Sequence, residues 1–559
     1  MLKNLRNFLK ENNLNYLLVN TTDEFLVEYN ELCNCARYFV TGFTGSTGDV
    51  LVSADSVWQF VDGRYHEQAD SEVDHKTTTV VKLQLGQSFL NELIERIEPN
   101  TVIGVVSDKI SLNFYKALKF KLDKKHCKIK PLEIDPVGLF TELKQGGKPQ
   151  AVKQISLEIA GMNADEKFKK LARKLAQNVA YLDTHLENIA YLTNCRQYKT
   201  PFSSTFKAKM LLTKQKAQIY TNEEFETPIG KHFEILPLSD FDKNIKKLCC
   251  NSELVSESSG MSVKVLFNPK TINYHDFKLI KSKAQESPVD YIKEMKAVKN
   301  DAEIEHFKKN FARTDNVVNK TFELLQSKDD LSEAEVSDFV EKEYMAQGAT
   351  QLSFKTILAA GANSSVIHYS HPSREVKVKD GDFVLLDCGG HFEGGYSTDI
   401  TRTFVKGNPS KPQKTVYTTV LKMFLNAYHY KVTPKTTGFT LDRVARKIQS
   451  QSGLEDFNFN HGLGHGVGIS VHENPPTISC GQMGKRVLKP NMVFTIEPGL
   501  YKTGVGGVRL ENTVYLAKVN GELKIQSFSH VPFQENVIDY TMLNKQELKW
   551  LKDWQAGKC

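Results

Sequence analysis

Five positions in the last third of the chain carry side chains suited to one piece of chemistry. Val384-Leu385-Leu386-Asp387-Cys388-Gly389 is an apolar run ending on a carboxylate and a glycine, and Asp399 follows twelve residues later in Ser397-Thr398-Asp399-Ile400-Thr401-Arg402-Thr403. His465 stands in His461-Gly462-Leu463-Gly464-His465-Gly466-Val467-Gly468, where glycines let backbone and imidazole approach a ligand closely. Glu497 closes the run Phe494-Thr495-Ile496-Glu497, and Glu511 follows fourteen residues on in Val508-Arg509-Leu510-Glu511-Asn512. Each acid taken singly is more simply a strand-end or turn residue. Together, four carboxylates and an imidazole at the ends of apolar strands would cost many kcal/mol to bury unless cations neutralised them. Two divalent ions meet that need. The donor set is hard and oxygen-rich, so it suits Mn2+, Mg2+, Fe2+ or Co2+ better than a thiolate zinc site.

Other chemistry is less well supported. The spacing of glycines around His465 is not the dinucleotide fingerprint, and no phosphate-loop lysine follows it. The run Thr41 to Gly48 reads as a tight turn between strands rather than an anion cradle.

Positioning these groups requires strands that end together. Paired strands bring distant positions side by side, so Asp387 and Asp399 can converge if a hairpin joins them. Strand-like runs dominate from Lys355 to Phe404 and recur at Met492–Ile496 and Thr513–Leu516. Helical spacing is expected from Val289 onward through Ile304, Phe307, Phe311, Val318 and Phe322, again near Thr415–Tyr430, and in the tail Met542–Trp554, whose tryptophans suit packing or an interface. Upstream, Leu2, Leu5, Phe8 and Leu9 predict a helix packed on the following strand, with an amphipathic leader as the lesser reading. Val50-Leu51-Val52 with Val57–Val61 predicts a hairpin, and a similar pattern returns 160 residues later at Leu211-Leu212-Thr213 and Gln218-Ile219-Tyr220. Two related α/β domains and two unrelated ones both fit that echo. Lys144–Gln150 and Lys281–Pro288 read as linkers.

Length and composition bound the class. A chain of 559 residues accommodates two to four domains, and 40% hydrophobic with 25% charged residues is a globular balance. The net charge of +7 is scattered among nearly as many acids as bases, so nucleic acid is not implied. No apolar run is long enough to span a bilayer, and Met1–Asn20 lacks the unbroken core of a signal peptide. Nine cysteines, an odd number without paired CxxC spacing, fit reduced thiols and a cytoplasmic location.

In order and setting, D-x-G at Asp387, TDxTRT at Asp399, GHGVG at His465, EPG at Glu497 and RxEN at Glu511 resemble the metallopeptidase family of methionine aminopeptidase, prolidase and aminopeptidase P. Thr41–Gly45 with Asp62-Gly63-Arg64-Tyr65, the segment Lys296–Ile304, the start of a second domain at Gly161–Lys167 and the Trp550-bearing tail resemble its long, three-domain Xaa-Pro aminopeptidase branch. The implied architecture is α/β and α+β: two related α/β domains at 1–145 and 146–289, then a pita-bread catalytic domain at 290–559. One departure stands out, because Asn194-Cys195-Arg196-Gln197-Tyr198-Lys199 replaces the N-L-R-G-x-D common in long members.

The resemblance also implies roles. Asp399 and Glu511 would bridge two divalent metal ions, Mn2+ first with Co2+, Fe2+ and Zn2+ as alternatives; Asp387 would complete one shell, and His465 and Glu497 the other. Glu497 would also move the proton. His368 and His472 would donate to the substrate carbonyl, and His461 would line a proline pocket. Arg509 is either a donor orienting one acid or a surface ion pair; His371 is left structural. The implied activity is metal-dependent hydrolysis that releases the first residue from peptides with proline second, by a metal-bridging water or hydroxide, in a homodimer. Prolidase, limited to dipeptides, and a non-catalytic peptide-binding module are the rivals.

Overall fold

The structure, a computed structural model, describes residues 1–141, 150–250 and 263–558. The expected linker Lys144–Gln150, except for Gln150, and Cys559 lie outside these residues. The chain divides into two compact units, Met1–Ile155 with Met162–Ile292, and Ser156–Gly161 with Lys293–Cys559.

The first unit contains two six-stranded sheets. With the strands of each numbered in chain order, both run 4-3-2-1-5-6. In the first sheet strand one, Tyr16–Val19, pairs antiparallel with Val50–Ser53 and parallel with Val102–Val106. In the second, Val179–Asp183 does the same with Lys209–Leu212 and Lys264–Phe267. The hairpins keep one register, Val52 opposite Val57 and Leu212 opposite Ala217, so the 160-residue echo is a repeated topology. Side chains alternate across the first sheet as the pleat requires: Leu17 and Val19 meet Leu5 and Leu9 of helix Leu2–Glu11 on one face, while Tyr16 and Leu18 join Phe60, Val105 and Leu118 on the other.

The stretch Lys281–Pro288 is not a linker. Ala284–Glu286 forms the sixth strand of the second sheet, with Ala284 opposite Val265. An edge strand bonds on one side only, and its exposed Gln285 and Glu286 leave no apolar period to read.

The second unit is built on a three-stranded antiparallel sheet, Ile357–Ala360, Phe383–Cys388 and Ile400–Val405, in which every residue is buried. A second sheet joins Val493–Ile496, Asn512–Val519 and Glu522–Ser527, and a ribbon pairs Gly499–Lys502 with Gly506–Arg509. The two sets touch where Glu511 N–H donates to Thr401 O at 3.0 Å and Arg509 N–H to Thr403 Oγ1 at 3.0 Å. Helices Asp301–Ser327 and Glu333–Ala346 begin at capping boxes, Asn300 with Glu303 and Ser332 with Glu335, which satisfy donors the helix leaves free. Helix Lys545–Gln555 buries Trp554 against Phe424, Tyr428 and Phe533 and stacks Trp550 on His429, so its tryptophans are spent inside the chain.

Candidate metal centre

Strand ends deliver the acids. Asp387 lies opposite Thr401 in the pair Phe383–Cys388 and Ile400–Val405, and Asp399 immediately precedes the second of these strands. Glu497 follows Val493–Ile496, and Glu511 lies between Gly506–Arg509 and Asn512–Val519. His465 belongs to a two-residue strand paired with Thr477–Ile478. Its approach depends on Gly464, where a Cβ would sit 2.0 Å from Thr495 O. His465 N–H donates to Thr495 Oγ1 at 3.2 Å, which sets the ring beside Glu497.

Ligand atoms of Asp399, His465 and Glu511 all lie within 4.8 Å of one another. His465 Nε2 is 3.5 Å from Asp399 Oδ2 and 3.5 Å from Glu497 Oε1. Its Nδ1 is 3.1 Å from Gly466 O; with the proton assigned there, the Nε2 lone pair faces carboxylate oxygens. Lone pair against lone pair is repulsive unless a cation stands between. Asp387 Oδ2 accepts from Arg509 Nη2 at 2.6 Å, while Asp387 Oδ1 is buried without a hydrogen-bond partner. Thr401 Oγ1 donates to Glu511 Oε2 at 2.7 Å.

Electrostatics point the same way. Burial first, and then Glu511, Asp387 and Glu497, push the Asp399 carboxyl well above the usual range. Burial, then Glu497 and Asp387, do the same to Glu511. Asp387 is also raised by burial, although Arg509 opposes it. Acids that crowd one another in low dielectric either take up protons or hold cations. Two divalent ions fit this donor set.

The remaining positions sort by contact. Arg509 is 1% exposed and reaches Asp387, Tyr501 OH at 2.9 Å and Ile367 O at 3.3 Å, so it is no surface pair. His461 Nε2 is 3.0 Å from Tyr501 OH, its Nδ1 is 3.8 Å from Glu497 Oε2, and Phe459 packs edge-on against its ring. His472 packs edge-on against His465 with ring centroids 4.6 Å apart. His368 follows Ile367, whose carbonyl Arg509 holds. His371 is exposed, 3.0 Å from Ser370 Oγ. Cys388 turns to the opposite face of its strand, toward the Tyr344 hydroxyl at 3.4 Å.

Thr401 and Tyr501 were not singled out from sequence. Thr401 sits inside the TDxTRT run, so proximity to Asp399 could have flagged it; Tyr501 carried no such signal. Nor did Asp442 and Arg446, which hold the glycine-rich run through Leu463 N–H at 3.2 Å and His461 O at 2.6 Å.

Residues 305–518 match metallopeptidase family M24, and residues 1–135 and 147–303 match creatinase/prolidase N-terminal domains. A probable Xaa-Pro aminopeptidase P of Talaromyces marneffei is 30% identical across 99% of this chain and 87% of its own length. Its counterpart in Paracoccidioides brasiliensis is 29% identical across 99% of this chain and 94% of its own length. Among solved structures, an X-prolyl aminopeptidase from Caenorhabditis elegans, described as a cytosolic enzyme with a di-nuclear active site, matches with a TM-score of 0.89 at 26% identity, covering 98% of this chain and 91% of that one. A prolidase from Thermococcus sibiricus reaches 0.53 at 28% identity and covers only 67% of this chain, though 98% of its own. End-to-end likeness and the match to the catalytic fold agree: this chain belongs to metallopeptidase family M24, in the group of Xaa-Pro aminopeptidase P proteins.

Proposed function

We propose that this chain is an Xaa-Pro aminopeptidase, releasing the N-terminal residue from peptides with proline at position two. The observation that carries the reading is the ring of buried carboxylates facing one another around His465, in a chain alike from end to end to proteins of that name. Asp387, Asp399, His465, Glu497 and Glu511 would hold two divalent cations, Asp399 and Glu511 being common to both. Mn2+ suits the oxygen-rich set, with Co2+, Fe2+ and Zn2+ as alternatives. Bound cations would lower the pKa of a water and offset charge growing on the peptide carbonyl.

The chain's own groups supply the rest. Glu497 takes the proton of the attacking water and passes it to the departing nitrogen. The departing nitrogen of proline leaves as an amine only if a proton is delivered to it. His368 and His472 donate to the carbonyl oxygen as it gains charge. His461, fixed by Tyr501 and flanked by Phe459, offers the proline ring a ring edge. Arg509 holds Asp387 in place and stays charged.

The two repeated sheets and the catalytic unit support a division into three domains at 1–145, 146–289 and 290–559. A cytosolic setting is supported by the cytosolic relative and by eight described cysteines of which none is in a disulfide. Among the described residues no helix is long and apolar enough to cross a membrane. A homodimer rests on the resemblance alone, since Trp554 serves the chain's own core; sedimentation reads it. The deciding assay uses proline-second peptides of three or more residues with and without a chelator. Metal-dependent release of the first residue supports the reading, cleavage confined to dipeptides makes the protein a prolidase, and tight peptide binding without turnover makes it a binding module.

A further inference from the structure

His368 lies in a stretch with no helix or strand of its own. After the short turn Gly361–Ser365 the chain runs without helix or strand to Lys377. It is held from outside by Glu333, the first residue of helix Glu333–Ala346, whose side chain is fully buried. Glu333 Oε1 accepts from Ala360 N–H at 2.7 Å and Asn363 Nδ2 at 3.0 Å. Its Oε2 accepts from the Tyr369 hydroxyl at 2.7 Å and Ser373 N–H at 3.0 Å. The helix itself has no need of this carboxylate, because Ser332 and Glu335 already form its capping box. Four neutral donors gathered from residues 360 to 373 therefore account for a buried charge that would otherwise be costly. On the other side of His368, Arg509 bonds Ile367 O at 3.3 Å. The histidine thus stands between two neighbours that are each tied down, one by Arg509 and one by Glu333.

We propose that Glu333 is a positioning residue for the reaction: it fixes the 360–373 segment so that His368 meets the substrate carbonyl, and it acts on turnover through His368. This rests on the reading of His368 as a carbonyl donor. A carboxylate is required rather than an amide, since both oxygens must accept and a glutamine would set its NH2 against a donor.

A double-mutant cycle tests it. His368→Ala should lower kcat about 10^2-fold. Glu333→Gln should lower kcat about 10-fold with KM and metal content unchanged, and the double variant should be no slower than His368→Ala alone. Hydrogen exchange in metal-free Glu333→Gln should accelerate across 360–373 and not elsewhere. Tyr369→Phe removes one of the four bonds and gives a milder variant with the same non-additivity should Glu333→Gln fail to fold. Asn544→Ala, which removes the capping box of helix Lys545–Gln555 and bonds nothing in 360–373, should lower the melting temperature and leave kcat unchanged. If the losses from Glu333→Gln and His368→Ala multiply, or Glu333→Gln leaves kcat intact, the positioning role is wrong while His368 keeps its own. If His368→Ala is silent, the reading of His368 falls and the proposal with it.

Discussion

Asp276, in the first unit, and Asp399, in the second, are both buried aspartates whose carboxyls burial pushes upward, and they are treated in opposite ways. Asp276 has Lys209 Nζ at 2.6 Å, which pulls its pKa back down. Asp399 has Glu511, Asp387 and Glu497 as neighbours, each pushing further up. The same contrast holds inside the second unit, where buried Glu473 is flanked by Lys296 at 3.2 Å and by Lys299, and Glu333 by four donors. Acids matched by the chain's own groups are architecture. Asp399, whose acidic neighbours outweigh the opposing charge of Arg509, needs something from outside, and that difference marks the centre without any appeal to relatives.

The contrast is most sharply tested at its extremes. Asp399→Ala should abolish turnover, by about 10^3-fold or more, with circular dichroism and melting still those of a folded protein; a variant retaining a tenth of the activity would refute the assignment. Lys209→Met strands Asp276 and should cost about 3–5 kcal/mol of stability while the folded fraction keeps its kcat. Denaturant titration together with kinetics reads both, and a loss of kcat per folded molecule would place this pair in the wrong class.

A smaller effect follows from the pH behaviour. In chelated protein the folded-state pKa values of Asp399 and Glu511 lie above their unfolded values, so the stability these groups contribute is fully present below the unfolded values and is lost as pH rises from there through the raised ones. Melting temperature of the metal-free protein should therefore fall, from these groups, as pH rises above the ordinary carboxylate values, and added Mn2+ should raise it more at the higher pH. A metal-induced shift independent of pH would contradict mutual repulsion as the cause. Least of all, His371→Ala should leave kcat and KM within about twofold, as expected of an exposed side chain outside the cluster; a large loss would show that exposure misjudged its role.

Much of the second unit was legible from residues alone. The four acids and the histidine each lay at the end or edge of an apolar run, and helices near Thr415–Tyr430 and Met542–Trp554 appear as Lys411–Tyr428 and Lys545–Gln555. The polar edge strand Ala284–Glu286 was not legible, because backbone pairing leaves no mark in side-chain type. The tail tryptophans were ambiguous for a related reason: an amphipathic helix has the same pattern whether it packs on its own chain or another. Arg509 could be read either way until its burial beside Asp387 removed the surface alternative.

Residue type and order by themselves determined which groups could hold cations and which strands and helices must carry them, since hydrophobic period and acid placement are local properties. Only the tertiary structure decided what holds those groups still. Glu333 and Tyr369 are 36 residues apart, and Asp387 and Arg509 are 122 apart. Such bonds are made by surfaces that meet only after the chain has folded, and no local pattern encodes the meeting.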